Sequence, residues 1–123
     1  MSSRRIRFAL VGTSGHAERL ARRALMGANE AELLGAVGST TAKGTAFAER
    51  HGLARAYGSL AEVLTDKDVD AAWIATPNHL HASMVVACAE AGKHILAEKP
   101  LATSWTEAAR AVAAARANRV VLR

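Results

Sequence analysis

The sequence predicts a doubly wound α/β domain with a mainly parallel sheet and helices on both faces. Short β-type runs alternate with helix-type segments along the whole chain, five such runs and the start of a sixth, which is the pattern of successive βαβ units. Half of the 123 residues are apolar, enough for one buried core with no room for a second full domain. Aromatic residues are only 4%, and alanine supplies much of the apolar count, which suits close packing of helices on a sheet.

The first strand is expected at Ile6 to Val11. A glycine-bearing turn then leads to a helix from about Ala17 to Met26, with Leu20, Ala21, Ala24 and Leu25 on one face. Glu32 to Val37 reads as the second strand. The next helix, Ala42 to Arg50, stops at His51-Gly52, where glycine can take the left-handed cap conformation. A short strand around Ala56-Tyr57 follows, and Ser59 with Glu62 has capping-box spacing for a brief helix, Leu60 to Leu64. The fourth strand is Asp70 to Ala75. Thr76-Pro77-Asn78 opens a helix whose inner stripe is read as Leu80, Met84, Ala87, Cys88 and Ala91, with Gly92 as its stop. His94 to Ala97 is the fifth strand. Ser104 and Glu107 form a second capping box for an alanine-rich helix reaching about Asn118, and Val120 to Leu122 begins a sixth strand.

Composition narrows the function classes. The net charge of +5 would suit an anionic partner, but the arginines are dispersed among acids without interleaved aromatics, so no nucleic-acid partner is expected. Phe8-Ala9-Leu10-Val11 is cut by Gly12 and is too short for a signal sequence or a membrane span, which points to a cytoplasmic protein with no membrane partner. The lone Cys88 has no cysteine partner for a disulfide or a metal site, so it is expected to pack as a small buried group, and no metal is expected.

Gly12-Thr13-Ser14-Gly15-His16-Ala17 follows a strand and opens a helix, the context in which a G-x-G-x-x-G/A pattern signals a dinucleotide site. Gly12 permits the tight turn and Ala17 keeps the third position small, but Ser14 replaces the second glycine. A phosphate would sit over the free N–H groups of the helix start, with the Thr13 and Ser14 hydroxyls adding hydrogen bonds. Taken alone, the loop reads equally as an ordinary glycine-rich turn. Where NAD-preferring domains carry an acid at the end of the second strand, this chain has Gly38-Ser39-Thr40-Thr41, followed by Lys43. The lack of a carboxylate to repel a 2′-phosphate tilts the choice from NAD towards NADP, against the alternative that these residues merely cap the next helix.

Trp73-Ile74-Ala75-Thr76-Pro77-Asn78-His79-Leu80-His81, then Ala97-Glu98-Lys99-Pro100-Leu101-Ala102, resembles the Gfo/Idh/MocA family of oxidoreductases, the glucose-fructose oxidoreductase and inositol dehydrogenase group. The resemblance covers the whole chain. It implies that residues 1–123 are an NAD(P)-binding Rossmann domain with the family's C-terminal α/β substrate domain missing and the sixth strand barely begun. It also implies that Thr76, Pro77, Asn78 and His81 line the cofactor, that Lys99 contacts the substrate hydroxyl, that Glu98 holds Lys99 and the cofactor ribose, and that Pro100 fixes the exit of the strand. Without it, Pro77-Asn78 is a turn, His81 a polar residue of a first helical turn, and Glu98-Lys99 a surface pair.

The expected function is hydride transfer between a nicotinamide cofactor and a hydroxyl or ketone group of a sugar, cyclitol or related polyol, with dinucleotide and polyol as partners. In the family the general base comes from the second domain, so this chain is expected to bind cofactor but turn over little. An apolar surface left by that domain would favour self-association into a homo-oligomer. The alternatives are a non-catalytic NAD(P)-binding or sensing module, and a methyltransferase using the glycine loop for S-adenosylmethionine, against which the Glu-Lys-Pro segment argues.

Overall fold

The computed structural model describes residues 5–24 and 29–123. Its elements are β1 (Ile6–Val11), α1 (Gly15–Ala24), β2 (Ala31–Val37), α2 (Thr41–His51), β3 (Arg55–Tyr57), α3 (Leu60–Thr65), β4 (Ala71–Ile74), a 3₁₀ turn (Asn78–Leu80), α4 (His81–Glu90), β5 (His94–Ala97) and α5 (Trp105–Ala117). All pairings in the five-stranded sheet are parallel and the order is β3-β2-β1-β4-β5. The chain returns to the middle of the sheet between β3 and β4, so β1 and β4 lie side by side while their connections leave in opposite directions. That is the switch point at which open α/β sheets bind ligands.

The two faces are built by alternation along the strands. Leu10, Ala36 and Trp73 pack with Ala21 of α1 and Phe47 of α2. Val11, Ala72, Ile74 and Ile95 pack on the other face with Val85, Cys88 and Ala89 of α4 and Ala111 of α5. Ala9, Val37 and Tyr57 continue that second face over Val63 of α3. Small side chains in α1, α4 and α5 let the helices lie close to the sheet. Cys88 is fully buried, and burial pushes its thiol up to about 12, leaving it a packing group without thiolate chemistry.

The serine half of each capping box forms. The Ser59 and Ser104 hydroxyls accept from the amides of Glu62 and Glu107, while the two carboxylates reach back to the Gly58 amide and the Thr103 hydroxyl. Gly52 closes α2 in the left-handed conformation, as the His51-Gly52 stop required. The helix of the glycine loop starts at Gly15, two residues earlier than expected; Leu25 and Met26 lie outside the described residues. Beyond α5, Val121 to Arg123 runs beside β5, with Ile95 and Ala97 donating to the carbonyls of Val121 and Arg123 and the Arg123 amide donating to Ile95. Within the stretch read as the start of a sixth strand, the structure has one isolated parallel bridge, Ile95 with Leu122.

The buried face of α4 differs from the stripe read in the sequence. His81, Ala82, Val85, Cys88 and Ala89 face inward, Leu80, Met84 and Ala87 are half-buried, and Ala91 is exposed. The stripe was counted from Leu80, which belongs to the 3₁₀ turn at Asn78–Leu80, whereas α4 begins at His81.

The edge of the sheet remote from the switch point is fastened by charge. Arg55 binds Asp66 and Asp68 at 2.6 and 2.7 Å, Arg7 approaches Asp68 and Asp70, and Lys93, 8% exposed, donates to the carbonyls of Asp66 and Val69. The Tyr57 hydroxyl, kept protonated by burial and by Asp66 with its pKa pushed up to about 12, donates to Asp66 at 2.6 Å. That bond, then the Asp68 amide and Arg55, hold the Asp66 carboxyl at about 2, below its ordinary range. A depressed carboxyl stabilises the fold above its unfolded pKa, and that stabilisation is lost as pH falls through the folded value. Tyr57→Phe should therefore lower the thermal midpoint at pH 5, and the gap from the unmodified protein should close between about pH 4 and pH 2 in a calorimetric series. A gap that stays constant down to pH 2 would refute the assignment.

Candidate functional site

A cleft of about 730 Å³ opens at the C-terminal edge of the sheet above β1, β2 and β4. Gly12, Thr13, Ser14 and His16 form one wall, Val37, Gly38, Ser39 and Lys43 a second, and Ala75, Thr76 and Pro77 a third. Leu60, Leu80 and Met84 supply apolar surface. The size and the mixture of apolar walls with a few polar groups are those of a cofactor pocket.

Gly12 makes the cleft possible. Its φ is +112°, and a Cβ there would lie 2.6 Å from the carbonyl oxygen of Ala75 and 3.2 Å from the amide of Thr76. The first glycine of the loop thus serves a close approach between the β1 and β4 loops as well as the turn itself. Ser14 precedes α1 and its hydroxyl accepts from the Ala17 amide at 3.2 Å, an N-cap bond. Ala17 is fully buried against the sheet, so its small side chain serves helix packing, while Gly15 is exposed and outside the cleft lining.

Among the four residues that stand where an acid would be, the roles divide. Ser39 lines the cleft, as does Lys43 beyond them. Thr40 caps α2 by accepting from the Lys43 amide at 3.1 Å, and Thr41 is the exposed first residue of that helix. Gly38 meets α2 backbone to backbone: a Cβ on it would lie 2.5 Å from the Gly44 amide nitrogen.

The Thr-Pro-Asn loop contributes Thr76 and Pro77 to the cleft, with the Thr76 hydroxyl donating to the Met84 sulfur at 3.2 Å. Asn78 is exposed and starts the 3₁₀ turn. His81, expected to line the cofactor, is 1% exposed and lies behind the loop. Its Nδ1 is 2.8 Å from the Pro100 carbonyl oxygen and its Nε2 2.6 Å from that of Thr76. The ring is withdrawn because those backbone acceptors, with the α4 core face below, enclose it.

Glu98, Lys99 and Pro100 follow β5 on the strand next to the cleft and are not part of its lining. The Glu98 amide donates to Ile74, and its carboxylate accepts from the Trp73 indole at 2.8 Å. Lys99 and Pro100 are exposed, and the peptide bond joining them is cis. Sequence reasoning missed the Trp73–Glu98 bond and the apolar wall of Leu60, Leu80 and Met84. The first joins residues 25 apart, and the second was hidden by assigning Leu80 and Met84 to the core.

A five-stranded parallel sheet in this order, with a glycine loop and a cleft at its switch point, defines a nucleotide-binding domain of the Rossmann type. Residues 6–123 match the model of an oxidoreductase family described as having an NAD-binding Rossmann fold, and the chain belongs to that Gfo/Idh/MocA family. It is 37% identical over 119 residues to a 1,5-anhydro-D-fructose reductase of Ensifer adhaerens, covering 94% of this chain and 34% of that one. It is 35% identical over 117 residues to the NADP-dependent scyllo-inositol 2-dehydrogenase of Bacillus subtilis, covering 95% and 35%. A WlbA dehydrogenase from Chromobacterium violaceum, solved with NADH and UDP-GlcNAcA, superposes with a TM-score of 0.90 at 35% identity, over 99% of this chain and 35% of that one. The chain spans about a third of the length of the curated relatives it matches.

Gly12→Ala should destabilise the domain by about 1–3 kcal/mol, since it combines an unfavourable φ with a backbone clash. Urea unfolding measures this, and an unchanged midpoint would show that the two loops are not in contact.

Proposed function

We propose that this chain is the cofactor-binding domain of an oxidoreductase that moves a hydride between a nicotinamide cofactor and a hydroxyl or ketone carbon of a sugar, cyclitol or related polyol. The observation that carries the reading is the cleft at the switch point, with Lys99 following the neighbouring strand. The relatives that act on anhydrofructose and inositol support the substrate class.

The residues present fit a dinucleotide. Gly12 leaves the loop backbone bare, and the N-terminus of α1 favours a pyrophosphate. Ser14 satisfies the Ala17 amide, which leaves those of Gly15 and His16 for the anion, and Thr13 adds a hydroxyl. Thr76 and Pro77 would hold the nicotinamide end, with Asn78 at the rim. Ser39 and Lys43, with no carboxylate beside them, favour NADP over NAD, and Thr40 and Thr41 act there through the start of α2.

When bound, the cofactor supplies the hydride acceptor or donor. Lys99 supplies charge: as hydride leaves a carbinol carbon, negative charge grows on its oxygen, and a nearby ammonium stabilises the transition state more than the ground state. Glu98 takes its position from Trp73 and sets the direction in which Lys99 leaves the strand, with Pro100 on its other side. Cofactor binding is the activity expected of this domain by itself.

Titration calorimetry with NADPH and NADH tests the cleft and the cofactor together. NADPH should bind more tightly, and Lys43→Ala should weaken it about tenfold, the equivalent of ~1.4 kcal/mol for a charge-assisted hydrogen bond, while changing NADH little. Failure of both dinucleotides to bind would sink the reading, and tighter NADH binding would reverse the cofactor preference. In a protein that carries the substrate half, Lys99→Met should lower kcat by about 10²-fold, the scale for losing one donor to a developing oxyanion.

A further inference from the structure

We infer that Arg19 is a binding residue for the diphosphate bridge of the dinucleotide, reaching it from the second turn of α1 across the bare backbone of Gly15. The inference rests on the proposed function and adds to it a contact from outside the walls of the cleft, to which Arg19 does not belong. In α1, residues 15 and 19 stand one above the other on the same face, and helical side chains slant towards the N-terminus. Arg19 follows that slant: its Nη1 lies 3.9 Å from the point that a Cβ on Gly15 would occupy. Gly15 contributes no side chain to separate that nitrogen from its own amide, which with the His16 amide is the donor left for the anion.

Two further observations give the guanidinium a ligand to meet. Arg19 is exposed and has no hydrogen-bond or ion-pair partner among the described residues, and the carboxylate beside it in sequence, Glu18, is engaged by His51 and Arg50. Its charge is also turned the wrong way for the helix. Aligned peptide dipoles make the N-terminal end positive, so a cation folded back over Gly15 opposes them, whereas Arg22 and Arg23 in the last turn sit at the favourable end. An anion held between the helix start and Arg19 is attracted by both and removes the conflict.

A diphosphate bridge suits the pair. It carries charge on each phosphate, so the amides can meet one while the planar guanidinium fork meets oxygens of the other. Lys43 stands on a different wall, beside Ser39, where the two dinucleotides differ. Arg19 meets the part that they share.

The test is titration calorimetry on the 123-residue chain at fixed ionic strength, with NADH, NADPH and, as a probe without a nucleoside, inorganic pyrophosphate. Arg19→Ala should weaken both dinucleotides alike by about tenfold, the scale of one charge-assisted hydrogen bond, in contrast to Lys43→Ala, which acts mainly on NADPH. Arg19→Lys keeps the charge without the fork and should lose about threefold. Arg22→Ala and Arg23→Ala remove the same charge further along the helix and should each lose less than about twofold. Without ligand, the thermal midpoint of Arg19→Ala should equal or exceed that of the unmodified chain, because a cation has left the positive end of the helix. In NMR spectra, pyrophosphate should shift the Arg19 Nε–H resonance together with the amides of Gly15 and His16.

Equal losses in Arg19→Ala, Arg22→Ala and Arg23→Ala would reduce the effect to overall charge and overturn the inference. So would a loss confined to NADPH, or a lowered midpoint in Arg19→Ala. If neither dinucleotide binds the unmodified chain, the proposed function fails and pyrophosphate still decides on Arg19. Binding that moves the Arg19 resonance and weakens in Arg19→Ala upholds the contact; no binding, or binding indifferent to the substitution, overturns it.

Discussion

At the switch point the backbone of Gly12 passes so close to Ala75 that a single methyl group would sit 2.6 Å from a carbonyl oxygen. The cleft follows from that approach. The β1 loop can lie against the β4 loop only if it carries no side chain there, and the space above both then opens towards Ser39 and Lys43. The parallel order of β1 and β4 brings the loops together, and the opposite departure of their connections keeps any helix from filling the gap. The helix start, the Thr-Pro-Asn turn and the Lys99 segment are all placed relative to this one contact.

The upper edge is held by hydrogen bonds from rigid elements to the loops, and the lower edge by ion pairs together with hydrogen bonds from Lys93 to backbone carbonyls. Trp73 and His81, both buried in the body of the domain, each hold a group that flanks Lys99. At the other edge Arg7, Arg55 and Lys93 bind the turn that carries Asp66, Asp68 and Val69. A third cluster joins α1 to α2, where Glu18 accepts from His51 and Arg50 and is held below the usual carboxylate range by them, His51 first.

What the sequence made legible was local. Ser59 with Glu62, Ser104 with Glu107 and the stop at Gly52 each depend on neighbours within four residues, and each forms as its spacing requires. The parallel sheet followed from the alternation of strand-type and helix-type segments over longer stretches. What stayed hidden depends on distant partners. The carbonyl partners of His81 lie 5 and 19 residues away, those of Lys93 lie 24 and 27, and no pattern in a single chain marks a carbonyl as an acceptor. The buried face of α4 was misread from a different start: the stripe was counted from Leu80, and the tripeptide Asn78-His79-Leu80 carries no sign that it forms a 3₁₀ turn. The Thr-Pro-Asn and Glu-Lys-Pro segments lie in the neighbouring loops after β4 and β5, and of their residues Thr76 and Pro77 alone line the cleft.

The contact between Gly38 and Gly44 bears on how a domain of this kind can change its coenzyme during evolution. With the Gly44 nitrogen 2.5 Å from where a Cβ would be, an acidic side chain at position 38 would have to lift α2 from the sheet, disturbing Phe47 and the core beneath it. Position 39 is exposed and borders the cleft, so an acid there meets no such obstacle. Thr40 can become Asp and still cap the helix, since aspartate is among the best N-cap residues. Of two adjacent positions at the end of β2, one is closed to an acidic side chain by backbone packing and the other is open, a difference set by how tightly a helix is docked.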